Sequence, residues 1–240
     1  MRNVVIVGAS GHGGMILDCL KKEEQYNVVG FVDTFKRKGS EHYGLKVLGN
    51  EYDLPRLTES LNLSGLILAI GNNWTRKTVA DKISEIVPRL EVISAIHPSA
   101  VIADGVKIGK GSVVMAGAII NAKAQMGDYC ILNTKASLGH DGVMQDFSSI
   151  ASGVCTGGNL DLGRFSAISL GANVIEHIKI GKHSVVGAGS LVVKNVGSFC
   201  VVYGSPAKMV RKRDIEDNYL SGDALVEEKK KVVHIKKLGS

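Results

Sequence analysis

The chain has 240 residues, a formal net charge of +6, 45% hydrophobic residues and 5% aromatic residues. That length holds one large or two modest domains with a buried core. A charge this moderate, with eight of the Lys and Arg residues in the last thirty positions, argues against a nucleic-acid partner and favours small anionic ligands such as nucleotides. Cys19, Cys130, Cys155 and Cys200 show no C-x-x-C spacing, so neither a zinc site nor a disulfide framework is expected. With no basic leader and no apolar run long enough to span a bilayer, the expectation is a cytoplasmic protein without membrane insertion.

Asn3 to Val7 reads as a buried parallel strand, Gly8 to Gly14 as the turn after it, and Met15 to Lys22, with Ile16, Leu17 and Leu20 on one face, as a helix. Val28 to Val32 is a second strand ending at Asp33, Leu66 to Ile70 a third ending in Gly71-Asn72-Asn73, and Arg76 to Val87 another amphipathic helix. Strand, glycine turn, helix and strand with a terminal acid make a small α/β, Rossmann-like nucleotide-binding unit over residues 1–95. The turn reads G-x-S-x-x-G and lacks the middle glycine that lets a dinucleotide pyrophosphate approach the backbone. A nucleotide phosphate held by turn amides at the helix N-terminus is therefore expected rather than NAD. A tight turn that binds nothing is the alternative.

From Ile96 to Val192 one aliphatic side chain recurs every six residues, and sixteen of the seventeen positions obey, Thr156 being the exception. Random placement would put only about eight apolar residues there. A period of six fits neither a helix nor an ordinary strand. It fits a parallel β-helix, in which each hexad supplies one face, its aliphatic residue points inward and three hexads complete a coil. Four places on from each, the residue is mostly small, as at Ala118, Ala136, Ser148 and Ala172, where the chain turns a corner. The result is a prism about 27 Å long over residues 96–210. Tyr203 to Lys208 forms a turn around Pro206, and residues 211–240 read as a charged C-terminal tail.

A regular prism offers few places for reactive groups, so Asn133, His140 and Asp141 stand out. Asn133 and His140 are seven apart, at neighbouring corners of one coil, and an imidazole oriented by a carboxylate is a candidate general base. An exposed pair without chemistry is the plain alternative.

The motifs Gly8 to Gly13, Ala69 to Asn73, Ile96 to Ala100, Asn133-Thr134, His140-Asp141, Gly158-Asn159 and Gly204 to Lys208 occur in an order that resembles the sugar O-acyltransferase family of sialic acid O-acetylation. Within it, the chain is most similar to the bacillosamine-pathway N-acetyltransferases of UDP-linked 4-amino sugars. The resemblance covers residues 1 to about 213. It implies a left-handed β-helix, a homotrimer with active sites between neighbouring prisms, and acetyl-CoA as co-substrate without a metal. By position, His140 would be the general base, Asp141 its orienting acid and Asn133 a contact to the sugar amine. The Gly158 amide would donate to the thioester oxygen. Ser10, Gly11 and His12 would hold phosphates, Asp33 would read the base, and Gly71 and Asn72 would line the sugar-nucleotide site. Leu170 and Ala188 fall where the family packs acetyl-CoA.

Two departures bear on the substrate. Where the bacillosamine enzymes carry a second acid, Thr34 follows Asp33, and where they carry a histidine nine residues after the base, this chain has Ser149. Three rival readings remain. A γ-class carbonic anhydrase would use His177 and His183, six apart and so near equivalent corners. A trimeric binder would bind nucleotide without consuming thioester. An O-acetyltransferase for sialic acid would turn the same base on a hydroxyl.

Overall fold

The computed structural model describes residues 1–220. Strands β1 (Arg2–Val7), β2 (Tyr26–Val32), β3 (Glu41–His42), β4 (Leu45–Gly49), β5 (Gly65–Leu68) and β6 (Glu91–Val92) form one sheet in the order β3-β4-β2-β1-β5-β6. All its pairings are parallel except β3 with β4. Val4 to Val7 and Leu66 to Leu68 are buried, as expected of strands covered on both faces. Helices α1 (Gly11–Glu23), α2 (Leu54–Ser60) and α3 (Asn73–Ile86) cover the sheet.

The stretch Gly8 to Gly14 is not wholly a turn. Helix α1 begins at Gly11, capped by the Ser10 hydroxyl, which accepts from the Gly13 N–H at 3.3 Å. Gly8 sits at φ +114°, where a side chain would also meet the Ala69 carbonyl oxygen at 2.7 Å. Glycines that read as turn formers are there for close approach between the β1 loop, α1 and the β5 loop.

Beyond Ala95 the chain winds as the period of six predicts. Val113 pairs with Ile131 and Ile131 with Ser149, so one coil is 18 residues and three sheets run along the prism. The first face carries Ile131–Leu132 and Ser149–Ile150, the second Ser137–Leu138 and Cys155–Thr156, the third Val143–Met144 and Asp161–Leu162. Every inward residue from Val114 to Val192 is buried, and the aliphatic ones contribute about 1.5–3 kcal/mol each. The same stacking rule operates outside. At the third–first corner Tyr129, Phe147, Phe165, His183 and Phe199 all adopt left-handed φ and stack with centroids 4.5–5.5 Å apart. Trp74 at the start of α3 packs edge-on against Phe165 and joins the two domains.

Arg76 of α3 completes that junction. It is 1% exposed, and its guanidinium donates to the carbonyls of Tyr129, Phe147, Ile70 and Gly71 and to the Asn73 side-chain oxygen. His183 lies in the aromatic stack while His177 lies at the second–third corner, so the expected placement at equivalent corners is wrong. Burial first, then Arg213 and Lys182, lower the His183 pKa to about 4, which suits a neutral ring between two phenyl groups.

The first residues of the expected tail, from 211, are part of the described fold. Lys208–Lys212 pairs antiparallel with Cys200–Tyr203, and residues 213–220 fold back onto the first face, while the rest of that expected tail, 221–240, lies outside the described residues.

Candidate active site

The second–third corner holds the candidate base. His140 Nδ1 donates to Asp141 Oδ2 at 2.8 Å, which leaves Nε2 with its lone pair free. Asp141 can turn back onto the preceding ring because it sits at φ 56°, a conformation aspartate tolerates better than most residues. One coil on, Gly158 lies beneath the imidazole so closely that a Cβ there would collide with Cε1 and Nε2 and come within 2.9 Å of Cδ2. Gly157 and Asn159 donate their N–H groups to Val174 and His140. Among the described residues, no protein acceptor engages the Gly158 N–H. A histidine nitrogen and an amide N–H without a protein acceptor thus belong to one corner of the prism.

Thr156, the exception in the inward ladder, accounts for the corner's shape. Its hydroxyl accepts from the Gly139 N–H at 3.1 Å and donates to the Ser137 carbonyl at 3.0 Å, tying down the residue before His140. An aliphatic side chain would remove this link and return the Gly139 N–H to the carbonyl one coil on, as at Asn121 and Gly157. The six-residue pattern flagged this position, and adding the 18-residue coil would have placed it beside Gly139.

Asn133 occupies the neighbouring corner, as expected. It lies at the first–second corner, in a cleft of about 570 Å³ between the Rossmann-like domain and the first face. His12, Gly71, Leu170 and Ala188 line the same cleft, so five sequence-predicted residues converge there, away from His140, Asp141 and Gly158. Tyr219 and Leu220, which sequence reasoning left in the tail, line it too. Burial, reinforced by Arg76, lowers the His12 pKa to about 4, and its Nε2 has no hydrogen-bond partner among the described residues. The ring is neutral at pH 7 and has polar capacity to spare.

The remaining candidates are largely committed to the fold. The Ser10 hydroxyl, besides capping α1, donates to the Ala69 carbonyl at 3.4 Å. The Asn72 side chain caps α3, accepting from the Thr75 N–H at 3.0 Å. Asp33 Oδ2 accepts from the Ala9 N–H at 2.7 Å, and Oδ1 accepts from the Phe35 and Lys36 N–H groups at 2.8 and 3.0 Å. Three of its acceptor positions therefore organise the loops. Gly11 faces a second hollow with Met15, Tyr43, His97 and Thr134. These loops leave the C-terminal ends of β1, β2 and β5, and the one after β1 parts from the one after β5 where the strand order reverses, the usual ligand crevice of open α/β sheets.

Residues 3–83 match the PglD N-terminal domain family. The UDP-N-acetylbacillosamine N-acetyltransferase of Bacillus subtilis (strain 168) is 33% identical over 120 residues, a match that spans 48% of this chain and about half, 52%, of that protein. Among solved structures, PerB from Caulobacter crescentus, in complex with CoA and GDP-perosamine, superposes with a TM-score of 0.81 at 32% identity, covering 88% of this chain and 98% of that one. The acetyltransferase domain of PglB from Neisseria gonorrhoeae FA1090, in complex with acetyl coenzyme A, gives 0.81 at 30% identity, covering 87% and 99%. Near-complete coverage at this identity, together with the shared left-handed β-helix, places the chain in the bacillosamine-pathway family of nucleotide-amino-sugar N-acetyltransferases.

Proposed function

We propose that the chain transfers the acetyl group of acetyl-CoA to the amine of a nucleotide-linked 4-amino-4,6-dideoxy sugar, at sites shared between protomers of a cytoplasmic homotrimer. The observation that carries this reading is the His140 imidazole, oriented by Asp141 and packed against Gly158, whose N–H has no acceptor among the described residues. A 4-amino sugar is largely protonated at neutral pH and must lose a proton to become a nucleophile. That proton goes to solvent, the neutral amine attacks the thioester carbonyl carbon, and Nε2 of His140 takes the second proton from nitrogen as the C–N bond forms, to pass it on to the leaving sulfur. The Gly158 amide donates to the developing oxyanion, an interaction worth a few kcal/mol where well placed. The C–S bond then breaks, and coenzyme A leaves as a thiolate that collects the proton.

The acceptor belongs in the cleft. Arg76 brings a buried positive charge whose partners are carbonyl and amide oxygens, so an anionic diphosphate beside the Gly71 loop is favoured electrostatically. His12 offers its spare nitrogen there, Asn133 reaches the amine, and the PerB relative binds a nucleotide amino sugar and CoA. UDP is the nucleotide we favour, with GDP and dTDP as alternatives. Leu170 and Ala188, stacked one coil apart, suit the apolar parts of coenzyme A.

Threefold assembly supplies what one chain lacks. The large apolar side chains that the β-helix leaves exposed are Val101 at 63%, Ile119 at 41%, Leu170 at 59% and Ile175 at 40%. All four lie on the second face or on the two corners that bound it. Packing that face around a threefold axis buries Val101, Ile119 and Ile175, leaves Leu170 at its edge for coenzyme A, and sets the His140 corner of one protomer against the Asn133 corner of the next.

The test is free-thiol release from acetyl-CoA with UDP-, GDP- and dTDP-linked 4-amino sugars. We expect turnover with at least one, lowered about 10²- to 10⁴-fold by His140→Ala. Thiol release with none of them, or only with the hydroxyl of a sialic acid, overturns the reading.

A further inference from the structure

The first face of the β-helix is covered along its length, but by two different parts of the chain. At one end Ala95 and Val113 pack under α1. At the other, Ala167, Val185 and Val201 pack with Tyr203 and Tyr219. Between them the outward row reads Ile131, Ser149, Ala167, Val185, so two small side chains leave a dip between larger ones.

The ring of Tyr219 closes one side of that dip. The segment 213–220 turns back as a strap fastened by an Arg211–Asp217 ion pair at 2.6 Å. Arg213 is buried beneath it, donates to the Asp217 carbonyl at 2.8 Å and holds its guanidinium 5.2 Å from the Tyr219 ring centre. The Tyr219 hydroxyl accepts from the Asn73 N–H at 2.9 Å, with the Ser149 side chain lining the same cleft. Asn73 is the first residue of α3, so its N–H has no acceptor within the helix. Leu220 follows and reaches Gly71, coming within 3.3 Å of where a Cβ would stand. The strap does not plug the cleft, which keeps about 570 Å³ with Tyr219 and Leu220 as part of its wall, within the range of small-molecule sites.

We propose that Tyr219 is a specificity-determining residue for acetyl transfer, its ring setting how bulky a sugar-ring substituent the cleft admits beside Asn133. The inference rests on the acetyltransferase reading above. Tyr219 is bonded to Asn73, next to the Gly71 loop, so within a cleft that also carries Leu170 and Ala188 it stands on the acceptor side. A phenol tethered at its hydroxyl, with Arg213 over its ring, is a stiff wall. It favours a compact substituent such as a hydroxyl over a bulky one such as an acetamido group.

The experiment uses the full chain and the series Tyr219→Phe, Tyr219→Leu and Tyr219→Ala, with thermal unfolding to confirm each fold. The probes are paired nucleotide-linked 4-amino sugars that differ only in carrying a hydroxyl or an acetamido group on the ring. Turnover is followed by thiol release and equilibrium binding by calorimetry. Tyr219→Ala should narrow the kcat/KM ratio between the paired acceptors at least tenfold and leave KM for acetyl-CoA within twofold, with Tyr219→Leu intermediate. Tyr219→Phe keeps the ring and should keep the ratio. An unchanged ratio in Tyr219→Ala, or an equal rise of kcat/KM for both acceptors, overturns the wall and leaves a clamp or an inhibitory strap. If the wild type binds the acceptors but transfers nothing, the acetyltransferase reading falls, and the binding ratio still decides the wall in the same way. Binding of none of the probes overturns both.

Discussion

Gly158→Ala isolates the chemistry from the fold. The added methyl would overlap the His140 ring at Cε1 and Nε2 and stand 2.9 Å from Cδ2, whereas carbon contacts settle at about 3.5–4.0 Å. The ring must retreat by about 1 Å, and it can, because the His140 side chain is 60% exposed and meets solvent on its outer side. Gly158 is not in the left-handed region, so alanine adopts its backbone without strain, and losing a glycine from the unfolded chain favours folding by about 0.4–1 kcal/mol. Stability should therefore hold or rise slightly. Catalysis should not, since a displacement of about 1 Å can cost 10²-fold in rate. Thiol-release kinetics should show kcat about 100-fold down with the melting temperature unchanged or higher. A variant with more than half of wild-type kcat would refute the placement of the base over Gly158. A variant that loses activity only because it unfolds would refute the claim that this glycine is kept for the site.

Thr156→Val completes the aliphatic ladder but removes the hydroxyl that links the Gly139 N–H to the Ser137 carbonyl, so the residue before His140 shifts and kcat should fall about tenfold with both KM values unchanged. Unchanged kcat would reduce Thr156 to core filling. His183 has a folded pKa of about 4 against an ordinary 6.5, so its contribution to stability is present above pH 6.5 and is lost as pH falls towards 4, where the unfolded chain takes up the proton first. His183→Phe, whose φ of 54° phenylalanine already adopts at 147, 165 and 199, should shrink the loss of stability between pH 7 and pH 5 by about 1–2 kcal/mol in urea unfolding. Asp33→Ala frees three loop amides at a cost of about 1–3 kcal/mol, and should raise KM for the sugar nucleotide about tenfold or more with KM for acetyl-CoA unchanged. Equal changes in both constants would make Asp33 a support of the fold alone.

The β-helix was legible because each face has room for one inward side chain, so Ile96 to Val192 declare the coil by spacing alone. The start of α1 was not. Gly11, Gly13 and Gly14 look like turn formers, and only the Gly8 carbonyl and the Tyr43 ring pressing on Gly13 and Gly14 explain glycines inside a helix. His140 and Asp141 were visible as polar neighbours at a corner. That Asn133 stands in a separate cleft was not, since seven residues along a coil do not reveal which face another domain covers. Tyr219 was hidden for a similar reason. It is an aromatic residue in a charged stretch, and its burial depends on Ser149 and Ala167, two coils' worth of sequence and more away. Asp33, predicted from the end of β2, is where expected, but amides from its own loops take up most of its acceptor capacity.

The central claim is a site that takes His140 from one protomer and Asn133 from the next, and subunit complementation tests it most directly. His140→Ala and Asn133→Ala chains, each inactive as a homotrimer, are unfolded together and refolded as an equal mixture, and thiol release is measured with the preferred sugar nucleotide. In a cyclic trimer each interface draws one corner from each neighbour, so about a quarter of the sites regain both residues, and about a quarter of wild-type activity should return. No recovery from mixed trimers confirmed by mass would place both residues of each site in one chain and contradict the shared-site account.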